Sequence, residues 1–472
     1  MDFGLISPEL ALLIIALALV VIDLFLPAER KPVLPYLTAA SLLVPAVLVV
    51  VVSQHKQTSF FGTFILDEPA TIFKLIFLLA AIFVALVSAS YVRERAISAG
   101  EYYALLVAST LGMFMMASGN ELVTLYVGLE LTSISLYLLA GLHKTDKLST
   151  EAGMKYLVLG AVSSATLLYG MALIYGTTGT TVLPEIAARL TEVTPVVALA
   201  AILMTAGLGF KIAAVPFHMW VPDVYHGAPT PVAAFLSVAS KAAGFVIVLR
   251  VFAVGLAPLD DFWPTVFAAL AAITMTLGNL AALNQTNIKR LMGYSSIAQA
   301  GFALMALAAA NSQTTSALIF FLVVYAFTNL GAFACIIYFS NRLASDEISA
   351  YAGLARRAMA PALVLAFCLI SLVGMPPAAG FWAKVYLFYS VFQSDLLWLV
   401  LVGLLNTAIS VYYYLKIVHA MFLRPPVDTT PLKGEFAMGL VMAGAVAGLA
   451  LLFVAPALLT NVSDAAAGAL IR

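Results

Sequence analysis

Charge is what this sequence has least of. Of 472 residues only 10% are charged, against about a quarter in soluble domains, while 63% are hydrophobic and the mean hydropathy is +1.06. A soluble fold of any size is excluded, because apolar runs of the roughly 20 residues needed to cross about 30 Å of hydrocarbon recur from end to end. The chain reads as an all-α integral membrane protein. Its formal net charge of zero gives no basis for a nucleic-acid partner. Cysteine is nearly missing: Cys335 and Cys368 sit in apolar segments, fit no metal, redox or haem spacing, and read as packing residues, so no redox cofactor is expected in this chain. Histidine is scarce, and no pair among the five has metal-ligand spacing, so no bound metal is expected. There is no phosphate-cradling glycine loop and no nucleophile elbow, and Asn461-Val462-Ser463 fits a glycosylation sequon only by letter. The first apolar run, Leu10 to Leu26, lacks a basic leader and is long enough to span, so it reads as a retained helix rather than a signal peptide.

What is present is a series of membrane spans. Fourteen are expected, over 5–27, 33–53, 69–91, 102–118, 122–142, 154–176, 195–222, 229–255, 263–284, 290–310, 313–340, 361–394, 396–423 and 436–460. Basic residues outside or at the ends of these spans divide unevenly between alternate loops. One side collects Arg30, Lys31, Arg93, Arg95, Lys144, Lys147, Lys155, Lys289, Arg290, Arg342, Arg356, Arg357, Arg424 and Lys433. The other collects Lys56, Arg189, Arg250 and Arg472. Positive loops stay in the cytoplasm, so both termini are expected on the non-cytoplasmic face of a cell inner (plasma) membrane.

Five lysines remain inside spans. Lys74 and Lys416 lie near enough to a span end to snorkel. Lys211, Lys241 and Lys384 sit deep, as does Glu130, whereas Asp23 is near an end. Ionisable groups at that depth cost several kcal/mol unless they face a polar interior, so they read as a functional pathway, with a purely structural lysine–glutamate pair as the competing reading.

Two spans are too long. At 1.5 Å per residue, 195–222 would reach about 42 Å and 361–394 about 51 Å. Both contain a means to break, Val215-Pro216 in one and Gly374-Met375-Pro376-Pro377 in the other, and each carries a lysine beside it, Lys211 and Lys384. A packing kink would suffice; yet unwound backbone at membrane depth is tolerated where it lines an enclosed cavity, as at transport sites. The breaks fall in the seventh and twelfth spans. An offset of five inverts the second copy, which predicts two inverted five-helix repeats, helices 4–8 and 9–13. The chain then divides into a three-helix segment over 1–100, repeats over 101–256 and 257–425, and a last helix within 426–472.

Burial disfavours a charged ammonium and a nearby carboxylate restores it, so Glu130 and Lys211 could form a switchable pair, with Lys241 the next stop and Lys384 the last. Ser133, Ser237, Ser240, Tyr325, Thr328 and Asn329 are candidates to hold bridging waters. His218, just past the first break, is a candidate proton carrier; His226 belongs to a DVYHGAPTP turn that reads as an ordered re-entrant loop, and His55, His143 and His419 read as interfacial.

GFKIAAVPFHMWVPDVYHGAPTPVAAFLSVASKAAGF, NIKRLMGYSSIAQAGFALM and SLVGMPPAAGFWAKVYLF together resemble the antiporter-like membrane subunits of respiratory complex I, the proton-pumping NADH:quinone oxidoreductase. The resemblance covers nearly the whole chain. It implies fourteen helices in two inverted repeats, and a relay in which Glu130, Lys211, Lys241 and Lys384 move protons outward while quinone is reduced in other subunits. It also implies partners: other membrane subunits of the complex, especially the antiporter-like subunit M and a small K-type subunit, besides lipids. NADH, FMN, iron–sulfur clusters and quinone would belong to partner subunits. Lysine at 384 separates the chain from subunit M, which has glutamate there, and an end soon after one more span separates it from subunit L, with its long amphipathic helix. The alternatives are a subunit of a multisubunit sodium/proton antiporter without redox partners, and a scaffold whose buried charges only fix packing.

Overall fold

The computed structural model describes residues 4–53, 57–260, 262–426 and 428–470. Expectations for His55, Lys56 and Arg472 lie outside these. Helices dominate, and among the described residues the only strands are a short hairpin, Gln57–Ser59 with Phe64–Leu66. Among the described residues, twelve helices are long and apolar enough to cross a membrane. The expected fourth and twelfth spans are not in that set, each for a physical reason. Ala99–Ser118 is a 20-residue helix made more polar by an exposed Glu101 at its start and by Tyr102, Tyr103, Ser109 and Thr110, which are buried in the bundle. The twelfth is divided into Met359–Val373 and Gly380–Phe392.

Other boundaries differ from expectation. The second span bends at Leu42 into Leu34–Ser41 and Leu43–Val52. The sixth starts early: Asp146 accepts from the backbone of Leu148 and caps a 32-residue helix, Lys147–Thr178. The seventh stops at Ile212, and the DVYHG stretch expected as loop is instead helical, Trp220–Gly227. The last long helix ends at Val454, not 460, and a separate helix follows, Ala457–Leu470, whose buried Ser463, Ala466, Ala467 and Leu470 lie at helical spacing.

The segment Thr230–Gly255 is the axis of the molecule. Every residue from Thr230 to Phe252 is buried, which explains a sequence that is apolar all round. It includes two widened π-type turns, Leu236–Ser240 and Leu249–Gly255, of the kind found at functional positions. Aromatic packing fixes the helical piece Trp220–Gly227: the Trp220 ring stacks on Tyr156 at 4.4 Å and 12°, and Phe210 lies 5.3 Å from Trp220.

Candidate functional site

The first break is a helix end closed by several hydrogen bonds. Pro195–Ile212 closes at Ala213, whose φ of 65° is left-handed. The carbonyl of Phe210 accepts from Trp220 Nε1 at 3.0 Å, the Ala214 amide donates to Gly209 at 2.8 Å, and the Val215 amide donates to Thr274 Oγ1 at 3.0 Å. Helix ends buried without partners are costly, so these bonds make the interruption stable. Lys211, only 3% exposed, lies on the last turn and donates to Ser133 Oγ at 3.1 Å. Ser133 is three residues from Glu130 on one helix face, yet the Glu130 carboxylate turns away, accepting a close hydrogen bond from Ser164, which in turn meets Tyr126 Oη at 3.0 Å. The expected Glu130–Lys211 pair is therefore not joined by an ion pair within 4 Å in this conformation; Lys211 is held by Ser133 and Glu130 by Ser164.

Lys241 follows the first π-type turn directly. It is 4% exposed and donates to the carbonyl of Ser296 and, at 2.5 Å, to Ser296 Oγ. Ser296 Oγ also meets Tyr225 Oη and Tyr325 Oη, each at 3.2 Å. Asn329 Nδ2 extends the cluster, donating to Tyr325 Oη at 3.0 Å and Ser237 Oγ at 2.7 Å. Gly244, one turn below Lys241, allows this axis to touch the first break: a Cβ there would lie 3.3 Å from Lys211 Cγ.

The second break repeats the geometry with different residues. Met359–Val373 closes at Gly374, φ 89°, where a Cβ would sit 2.7 Å from Lys384 Cδ. Lys384 Nζ donates to the freed carbonyl of Val373 at 2.8 Å and to Thr407 Oγ1 at 3.4 Å, and lies 4.2 Å from the Phe302 ring centroid. Ser371 receives the Gly380 amide at 3.2 Å and meets Thr328 Oγ1 at 3.0 Å. A cavity of about 20 Å³, room for one water, is lined by Gln299, Tyr325, Thr328, Ser371 and Lys384. Tyr325 belongs to both the Lys241 cluster and this cavity, so polar groups run from one lysine to the other.

The other buried cations behave differently. Lys74 does not snorkel: it is 1% exposed, 2.6 Å from Glu9, and sits over the rings of Phe64 and Phe114. Arg250, counted with the span-end cations, is 2% exposed, pairs with Asp67 at 2.8 Å and donates Nε to Ala117 O at 2.6 Å. Lys289, also counted among loop cations, is buried, donating to Ala228 O at 3.0 Å and facing Asp346 at 3.8 Å. Each of these three has a carboxylate within 4 Å. Lys211, Lys241 and Lys384 have only neutral acceptors.

Residues 119–410, which hold Glu130, the three lysines and both breaks, match the family described as NADH:quinone oxidoreductase/Mrp antiporter, TM. The chain belongs to that family. NADH-quinone oxidoreductase subunit N of Moorella thermoacetica is 44% identical over 464 residues, covering 98% of this chain and 97% of the relative. Among solved structures, a chain of respiratory complex I from Thermus thermophilus with bound aureothin aligns at a TM-score of 0.84 and 34% identity, covering 98% of this chain and 100% of that one. A chain of the Mrp complex from Dietzia sp. DQ12-45-1b shares the fold at a TM-score of 0.89 and 20% identity, covering 100% of this chain and 98% of that one.

In this member of the family the fold buries Lys211, Lys241 and Lys384 and leaves Glu130 partly buried. His218 is half-buried beyond the first break and makes no hydrogen bond to any of them. Of the suggested hydroxyls and amides, Ser133, Ser237, Tyr325, Thr328 and Asn329 are in the network, whereas Ser240 Oγ is buried without a direct partner. Sequence reasoning missed Ser164, Tyr225, Ser296, Gln299 and Ser371. Ser296 and Gln299 were within reach, since they lie three residues apart, on one helix face, in the NIKRLMGYSSIAQAGFALM motif.

Proposed function

We propose that the chain is the N-type proton-translocating membrane subunit of a NADH:quinone oxidoreductase, itself without redox chemistry. Protons pass from cytoplasm to outside by way of Glu130, Lys211, Lys241 and Lys384, driven by quinone reduction in other subunits. The observation that carries this reading is that the three interior lysines hydrogen-bond only neutral groups and have no carboxylate within 4 Å, while Lys74, Arg250 and Lys289 each have one. A buried charge fixed by a carboxylate is held in place, whereas an ammonium facing hydroxyls and carbonyls has nothing that locks its protonation state. Hydroxyl-rich contacts on both sides of Ser296 and Ser371 offer the Grotthuss-competent partners, and buried waters would complete the steps. The neutral acceptors, mid-helix Ser133 and the helix-end Val373 carbonyl, accept a hydrogen bond from lysine in either protonation state, so the side chain stays placed as the proton leaves.

The same reading assigns fourteen spans with both termini outside the plasma membrane, a three-helix segment over 1–100, inverted repeats over 101–256 and 257–425, and a C-terminal portion over 426–472. It places subunit M and a small K-type subunit among the neighbours, and NADH, FMN, iron–sulfur clusters and quinone in partner subunits. His218 is assigned an accessory role at most. Purification of the chain with its native partners tests the assignment. Flavin and iron–sulfur absorbance with NADH-driven proton transport into inverted vesicles is expected; sodium-gradient-driven proton exchange with no NADH activity would overturn it in favour of a Mrp-type antiporter subunit.

A further inference from the structure

The face on which most lysines and arginines gather carries a second built feature, remote from the relay. The loop leading into Phe436–Val454 is fastened in place: Arg357 Nε donates to Thr430 O at 2.9 Å and Arg357 pairs with Asp428 at 2.9 Å, Tyr338 Oη donates to Lys433 O at 3.1 Å, and Arg342 pairs with Glu435 at 2.5 Å. This loop borders a cavity of about 740 Å³ whose walls include Tyr36, Arg93, Glu94, Arg342, Lys433 and Glu435. Arg342 neutralises Glu435. Among the described residues, no hydrogen bond or ion pair engages the side chains of Arg93 or Lys433, and Glu94 is the one other charge left at the site.

A groove of about 570 Å³ between Met359–Val373 and Phe436–Val454 adjoins it, with Gly434 and Glu435 lining both. The groove is apolar, lined by Pro361, Val364, Gly439, Met442, Ala443 and Ala447. It is open: a Cβ added at Gly434 or Gly439 would meet nothing within 4 Å. From Phe436 to Ala447 the helix rises about 16 Å, half of the roughly 30 Å hydrocarbon layer. At its mouth Phe436 is 88% and Tyr36 49% exposed, the position of aromatic side chains at a membrane interface.

We propose that this pair of cavities binds one anionic phospholipid, its phosphate between Arg93 and Lys433 and one acyl chain in the groove. Unsatisfied cations at the headgroup level and an apolar slot one leaflet deep are the two ends of such a molecule. A neighbouring protein helix is disfavoured, because it would need a contact surface through both leaflets and would leave the two cations without partners. The inference goes beyond the relay and stands independently of it.

The test uses the chain with its native partners, exchanged into nanodiscs of equal parts phosphatidylglycerol and phosphatidylethanolamine, washed in detergent, and assayed by mass spectrometry for retained lipid. About one phosphatidylglycerol per chain is expected to survive. The R93Q/K433Q pair is expected to lower its retention roughly 30-fold, from two charges lost near the surface. Glu94→Gln is expected to raise retention, and Gly439→Leu to abolish it with the cations intact; unaltered NADH-driven pumping in each variant reports that the assembly is folded. Retention indifferent to these changes, equal retention of phosphatidylethanolamine, or crosslinking of a Gly439→Cys variant to a partner subunit across the groove would each overturn the proposal.

Discussion

At the residue scale, what separates the interior lysines is the company each keeps. Lys74 faces Glu9 at 2.6 Å, so Lys74→Met leaves a carboxylate stranded in the bundle, a loss of about 3–5 kcal/mol, whereas K74M/E9Q removes both charges and costs far less. Assembly yield and thermal inactivation of the purified protein check this; a double variant as damaging as the single one would contradict it. Lys241 has no such partner, and Lys241→Met strands no charge. Its expected effect is lost proton transfer with assembly intact, the reverse of the Lys74 pattern. The sequence sets Lys74 near a span end but does not reveal its partner, because Glu9 lies 65 residues away.

At the element scale the breaks do the positioning. Gly380 packs so tightly that a Cβ would fall 1.9 Å from Ser371 O, and its amide donates to the Ser371 hydroxyl. Gly380→Ala is therefore expected to push the two halves of the divided helix apart and to lower proton transport at least as much as electron transfer, by about tenfold if the Lys384 contacts shift by 1 Å. Steady-state pumping beside quinone reduction measures it. The helical piece Trp220–Gly227 is clamped at its outer edge by Asp223, which pairs with Lys155 at 2.7 Å and Arg290 at 2.8 Å. Burial raises the carboxyl's pKa, but the hydrogen bonds from Lys155 and Arg290 outweigh it and hold Asp223 below the usual carboxylate range. A depressed folded pKa means the stabilisation is complete above the unfolded value of about 4 and is lost only as pH falls through the lower, folded one. The thermal-midpoint difference between the protein and its Asp223→Asn variant should thus be flat from pH 5 to 8 and shrink below about pH 4. Both interruptions were legible from Val215-Pro216 and Gly374-Met375-Pro376-Pro377. The helix after the first was not, because DVYHGAPTP carries turn residues whose helical state depends on Trp220 stacking against Tyr156, a contact 64 residues away.

At the scale of the whole molecule, the membrane class and the approximate place of twelve spans were readable from hydropathy, while the details that override it were set by packing. Ala99–Ser118 tolerates Tyr102, Tyr103, Ser109 and Thr110 because neighbours cover them, and Arg250, read as a span-end cation, is buried where Asp67 meets it. The proposed orientation makes a further prediction: tags at either terminus should be reached by impermeant reagents from outside intact cells and not from the cytoplasmic face of inverted vesicles. Labelling on opposite faces would require an odd number of crossings and undo the repeat assignment.

The most direct test of the central claim is the number of protons moved per electron by the intact complex carrying Lys211→Ala, Lys241→Met or Lys384→Ala, each compared with the unsubstituted complex. If the three unpaired lysines form the conduit, all three variants assemble normally and show a lowered proton-to-electron ratio. Normal assembly with an unchanged ratio in all three would contradict the account.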